Sequence, residues 1–262
     1  MTTIPNTDQF PSRYDLSVNE ARVELASSDQ PRILTGTTLN SAGAFTGGGV
    51  GNKAILGFKG HSGLAVGAIT SLQWEWEAIA PAETTGTPFF FVYPYINLIL
   101  RLDATPNYKL ISIDPNENAR QPTLNQGTLV NLSGNIFRFT HQAATNYMQV
   151  INAFSSQAAA GIVPAMPIVS AASPSPGVPV PWAVYTGAGA ASWNNYGFTW
   201  SSLLATYPAA QLIDIYTGDG GLPGPSGTNT PTPSTLLCVG DSSFRRQRNI
   251  LLRSVLINGS NA

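Results

Sequence analysis

Roughly a dozen short segments rich in aromatic or β-branched residues recur along the chain, each bounded by Gly, Pro, Asn or Asp. They include "ARVELASS" (21–28), "SLQWEWEAIA" (71–80), "YKLISID" (108–114), "GNIFRFTHQ" (134–142), "STLLCVG" (234–240) and "RNILLRSVLING" (248–259). That rhythm is the signature of short strands joined by turns, and no amphipathic stretch is long enough for more than two turns of helix. It predicts an all-β chain, a single antiparallel β-sandwich or jelly roll with long Pro- and Gly-rich loops. The only helix candidate is 153–160, "AFSSQAAA", closed by Gly161.

Composition agrees. Only 10% of the 262 residues are charged, while 25 Gly and 20 Pro punctuate the chain. The charged helix formers are scarce, so Ser, Thr, Asn, Gln and Gly must carry the surface. One domain can span 1–262, because β-sandwiches reach roughly 200–250 residues. Residues 161–181 hold six prolines and read as an extended excursion within that domain; 218–235 reads as a flexible loop.

A net charge of −1 leaves no electrostatic footprint for nucleic acid or an anionic membrane. The longest apolar run, "PFFFVYPYINLIL" (88–100), is too short to span a bilayer, so no membrane insertion is expected. The opening "MTTIPNTDQFPSRYD" lacks a basic region leading into an apolar one, so no secretory signal is expected in it. The composition suits an extracellular or virion surface protein. The single cysteine, Cys238 in "TLLCVG", reads as a small buried hydrophobe.

In "LQWEWEAI" (72–79) the tryptophans share one strand face and the glutamates the other. Trp74 and Trp76 belong in the core. Glu75 and Glu77 lie ~6.5–7 Å apart along the strand, a spacing open to carboxylate-pair chemistry. Such pairs usually face each other across a cleft, so neither is expected to be a catalyst.

The strand that follows carries the binding prediction. Along 88–103 the even positions, including Phe90, Val92, Leu98 and Leu100, form an unbroken apolar face. With Ile111, Ile113, Val150, Ile213, Ile215, Leu252 and Leu256 they make the expected core. The odd side presents Tyr93, Tyr95, Asn97 and Arg101. Flat rings leading into an amide and a cation suit a sugar, which has one apolar face and a polar rim. Pro94 cannot donate a ladder hydrogen bond, which predicts an edge strand or a bulge there. A second candidate surface is "SWNNYGFTW" (192–200), a loop or hairpin corner presenting Trp193, Asn194, Asn195 and Tyr196.

Catalytic and metal chemistry find less. Asp114, Asn116 and Asn118 have the first spacings of a calcium loop, but Ala119 and Asn125 stand where glycine and a bidentate glutamate are needed, so turn chemistry is expected and no metal. Asp214 and Asp219 sit beside a glycine turn. His141, Arg138 and Tyr147 could supply the base, cation and acid of a polysaccharide lyase, and His61 is the only other histidine. No nucleophile elbow, phosphate-binding loop or dinucleotide fingerprint is present, so no cofactor is expected.

The closing stretch "LLCVGDSSFRRQRNILLRSVLING" (236–259), a strand with a Gly-Asp turn followed by a final strand ending at a polar turn, resembles the end of concanavalin A-like sandwiches. That superfamily includes lectins, glucanases and polysaccharide lyases, and the resemblance implies a sandwich with a glycan ligand. The glucanase Glu-x-Asp-x-x-Glu pattern is absent, since "EWEAIA" departs from it after its first residue. Three functions follow: non-enzymatic glycan binding, a structural or receptor-binding role in a virion or surface appendage, and a polysaccharide lyase or glycoside hydrolase. The large aromatic face over 89–95 also predicts a homo-oligomer.

Overall fold

The alternation in "LQWEWEAI" survives intact in the computed structural model. In strand Ser71–Ala78, Leu72, Trp74 and Trp76 are buried, while Ser71, Gln73, Glu75 and Glu77 stay partly open. The structure describes residues 22–27, 30–35, 52–58, 60–79, 93–103, 108–116, 118, 125–151, 198–216, 231–241 and 248–261.

In chain order the strands are β1 (Arg22–Ser27), β2 (Gln30–Thr35), β3 (Asn52–Phe58), β4 (Ser71–Ala78), β5 (Tyr95–Arg101), β6 (Tyr108–Ile113), β7 (Thr128–Ser133) and β8 (Ile136–Gln142). They continue as β9 (Tyr147–Ile151), β10 (Phe198–Thr199), β11 (Gln211–Leu212), β12 (Ile215–Tyr216), β13 (Pro231–Thr232), β14 (Thr235–Asp241), β15 (Arg248–Ile257) and β16 (Ser260–Asn261). One antiparallel sheet runs β1-β2-β15-β4-β8-β7, with β16 on β15; the other runs β10-β9-β6-β5-β14-β3, with β11 on β5. β12 and β13 pair separately. The chain is therefore the all-β sandwich that the strand rhythm predicts.

One core joins the sheets. Ile33, Leu72, Trp74, Trp76, Phe139, Leu252 and Val255 from the first meet Leu56, Phe58, Ile96, Leu98, Leu100, Ile111, Ile113 and Leu237 from the second. The expected core residues Leu98, Leu100, Ile111, Ile113, Leu252 and Leu256 are buried, and Ile213 is only partly so. Phe90, Val92 and the side chains of Val150 and Ile215 lie outside the described residues.

Three local predictions need correction. β5 is not an edge strand: it starts directly after Pro94 and pairs with β6 on one side and β14 and β11 on the other. Proline is accommodated because it precedes the ladder, and its carbonyl accepts a hydrogen bond from the Trp74 indole, 2.9 Å away. Residues 200–206, outside the one helix expected from sequence, form a helix, α1 (Trp200–Thr206). Thr199 caps it reciprocally with Ser202, and Trp200 and Leu203 supply the buried face. Finally, the tail of the 218–235 loop is ordered into β13 and the start of β14. The 153–160 helix candidate and the 161–181 excursion lie outside the described residues.

Candidate functional site

The odd side of β5 does not face solvent. Tyr95 is 8% and Asn97 2% exposed, and Ile99 is fully buried. Leu236, Asn97, Ser112 and Gln149 stand in register across four strands of the second sheet, all of them buried. Asn97 donates its amide to the Cys238 sulfur at 3.5 Å, and its amide oxygen is enclosed with no hydrogen bond among the described residues. An apolar even face fixes one side inward but leaves the other side free to be covered too, and here both faces are. The expected platform of Tyr95 and Asn97 is thus closed to a ligand approaching from solvent. Arg101, partly open at the strand's end, faces Gln211 across the ladder, and its guanidinium assigns the Gln211 amide the orientation in which the oxygen accepts from it. Trp193, Asn194, Asn195 and Tyr196 lie outside the described residues.

Tyr93 is different. It precedes β5, keeps part of its ring open, and joins Trp76 and Phe137 in an aromatic cluster. The Tyr93 and Phe137 centroids are 5.8 Å apart, and each ring lies 5.7 Å from the buried Trp76 indole. Burial raises the Tyr93 pKa, so the phenol remains a hydrogen-bond donor at neutral pH. The backbone of Tyr93 is clamped by Asn116, whose Oδ1 accepts from its N–H and whose amide donates to its carbonyl, both at 3.2 Å. Asn131, opposite Phe137 on β7, is exposed and donates to the Gly134 carbonyl, at 3.0 Å. Two half-open rings over an indole, rimmed by amides, can stack an apolar face and bond a polar edge. The spacing of Tyr93 was readable in the sequence; Phe137 was not, because it lies 44 residues away and meets Tyr93 only through the sandwich.

The remaining candidates have structural duties. Glu75 is paired with Arg138 (2.5 Å) and Glu77 with Arg253 (2.6 Å) on the outer face of the first sheet. Asp114 accepts from the Asn116 backbone (2.8 Å) and amide (2.6 Å), while Asn118 bonds Gly127 and Gln126. Both are loop-closing arrangements, and among the described residues no three His, Cys, Asp or Glu side chains converge as metal ligands.

The lyase set is dispersed. Arg138 points outward to Glu75, whereas His141, three residues on, is wholly buried and bonded to Gln126 and Trp200. His61 bonds the buried Thr235 hydroxyl at 2.9 Å; burial lowers its pKa and nearby Asp214 opposes that shift. Asp214 itself accepts from the Ser234 backbone at 2.7 Å, so this group ties the 60–64 turn to the start of β14.

No protein-family model, curated protein or solved structure matches the chain. Among the described residues no helix is long and apolar enough to cross a membrane.

Proposed function

We propose that this β-sandwich is a non-enzymatic carbohydrate-binding protein and that the sugar docks at the Tyr93–Phe137 mouth rather than along β5. The supporting observation is the pair of partly open rings held 5.8 Å apart against a buried tryptophan. Fixed aromatic surfaces give contact area at small entropic cost, and a neutral, amide-rich rim suits hydroxyl groups. The resemblance of 236–259 to concanavalin A-like sandwiches points to the same ligand class, by analogy only.

A glycan array followed by titration of Tyr93→Ala and Phe137→Ala tests this. Each variant should lose ~1–3 kcal/mol of binding with a smaller loss of stability than Trp76→Ala, which should cost on the order of 3–5 kcal/mol. A silent array, or a Tyr93→Ala protein that binds like the parent, refutes the reading.

A second reading, a homo-oligomeric structural or receptor-binding subunit of a virion or surface appendage, is favoured by one feature. Strand β7 ends its sheet among the described strands, carries no charge, and exposes Val130 (43%) and Leu132 (40%). Light scattering at high concentration separates the two, since the second requires an assembly.

A further inference from the structure

The two ring nitrogens of His141 face partners with opposite demands. Nδ1 lies 2.7 Å from the Gln126 carbonyl oxygen, which needs a donor. Nε2 lies 2.6 Å from the Trp200 indole N–H, which needs an acceptor. Only the neutral ring protonated at Nδ1 satisfies both. The histidine is 0% exposed, and its ring meets the Trp200 ring edge-on at 5.8 Å. Gly127, next to Gln126, is tightly packed against β8: a Cβ there would come within 2.5 Å of the Phe139 ring and the Thr140 carbonyl.

Among the described residues this is the one side-chain hydrogen bond linking α1 to the rest of the molecule. The others made by residues 199–206 are local, through Thr199, Ser201, Ser202 and Thr206. The backbone holds α1 from its two ends: Phe198 and Thr199 pair with Met148 and Tyr147 before it, and Ala210 and Leu212 bond Val66, Leu64 and Gly63 after it. Trp200 and Leu203 pack into the core. The sheets themselves are held by long ladders, seven register pairs between β4 and β8 alone.

We infer that His141 is an acid-operated latch: neutral, it fastens α1 to the sandwich; protonated, it releases that helix while the sheets stay paired. Adding the proton turns Nε2 into a donor pointed at another donor and places a cation in an apolar interior. Among the described residues, the titratable groups on the surrounding elements are Asp114, whose backbone N–H binds the Gln126 side chain, Tyr147 on β9 and Tyr207 at the end of α1. Arg138 and Glu75 pair on the opposite face of the sheet.

Burial holds the pKa of the closed state down to about 4, with the Gln126 carbonyl pulling the other way. A released imidazole titrates near its ordinary value of 6.5. The folded value is the lower one, so the closed latch has its full advantage above pH ~6.5 and loses it as pH falls toward 4. The opening equilibrium should therefore rise on the order of 50–100-fold between about pH 7.5 and pH 4.5.

Amide hydrogen exchange on the full chain, corrected for intrinsic rates, tests this directly. Amides of α1 should lose protection by that factor while those of β4 and β8 keep theirs. His141→Gln, which offers a neutral donor and acceptor but cannot protonate, should hold the helix closed at both pH values. The latch is overturned if α1 opens no more than β4 and β8, or if the glutamine variant opens in acid like the parent. Should that variant not fold, nitrogen chemical shifts of the parent's His141 ring decide. Nε2 must gain its proton over the pH range in which α1 opens, and an imidazole still neutral with the helix open rejects the latch.

Discussion

Strands β4 and β5 obey the same period-two geometry and end in different surroundings. On β4 the alternation separates core from solvent, with Trp74 and Trp76 inside and Glu75 and Glu77 outside in ion pairs. On β5 both sides are buried from Tyr95 to Leu100. The even side meets the inter-sheet core, and the odd side is a covered row containing Asn97, Ser112 in the neighbouring strand, and Cys238. The lesson is that an apolar face locates the core without locating the solvent. A mixed opposite face such as Tyr-Asn-Ile reads as a binding surface in sequence and can equally be an interior one.

Lysine scanning breaks this comparison most sharply. Asn97→Lys must bury an unpaired ammonium and should cost on the order of 5 kcal/mol or more, enough to prevent folding. Gln73→Lys, on the outer side of β4, should shift stability by no more than ~0.5 kcal/mol. Chemical denaturation of both variants reads the contrast, and equal tolerance would mean that the two outer faces are alike.

The smallest effect belongs to the β4 ion pairs. Glu75→Gln removes one partner of a half-exposed bridge with Arg138, whose side chain is 40% exposed, and should cost ~0–1 kcal/mol, shrinking further in high salt. A salt-insensitive loss of several times that size would show that the outer face of the first sheet is also enclosed.

Much of the architecture was legible because it rests on local signals: Gly, Pro and Asn punctuation, β-branched runs, and one clean amphipathic strand. The apolar side of β5 and the burial of Trp74, Trp76 and Cys238 follow from those signals. What sequence could not show depends on long-range meetings. Nothing near Tyr95 or Asn97 in the chain announces that their side is covered. Phe137 reaches Tyr93 only across the sandwich, and the partners of His141 lie 15 and 59 residues away in sequence. The helix at 200–206 was a local miss: Thr199 with Ser202 is a cap signal three residues apart, masked by the aromatic, strand-like "YGFTW" before it.

The chain's only cysteine measures the central contrast without any mutation. Cys238 is 0% exposed on the same covered side of the second sheet as Asn97. A thiol reagent applied to the native protein should label essentially none of it over minutes, and should label the full complement of one thiol once the protein is unfolded in guanidinium. Prompt stoichiometric labelling under native conditions would contradict the account, because it would put that face of β5 and β14 in solvent.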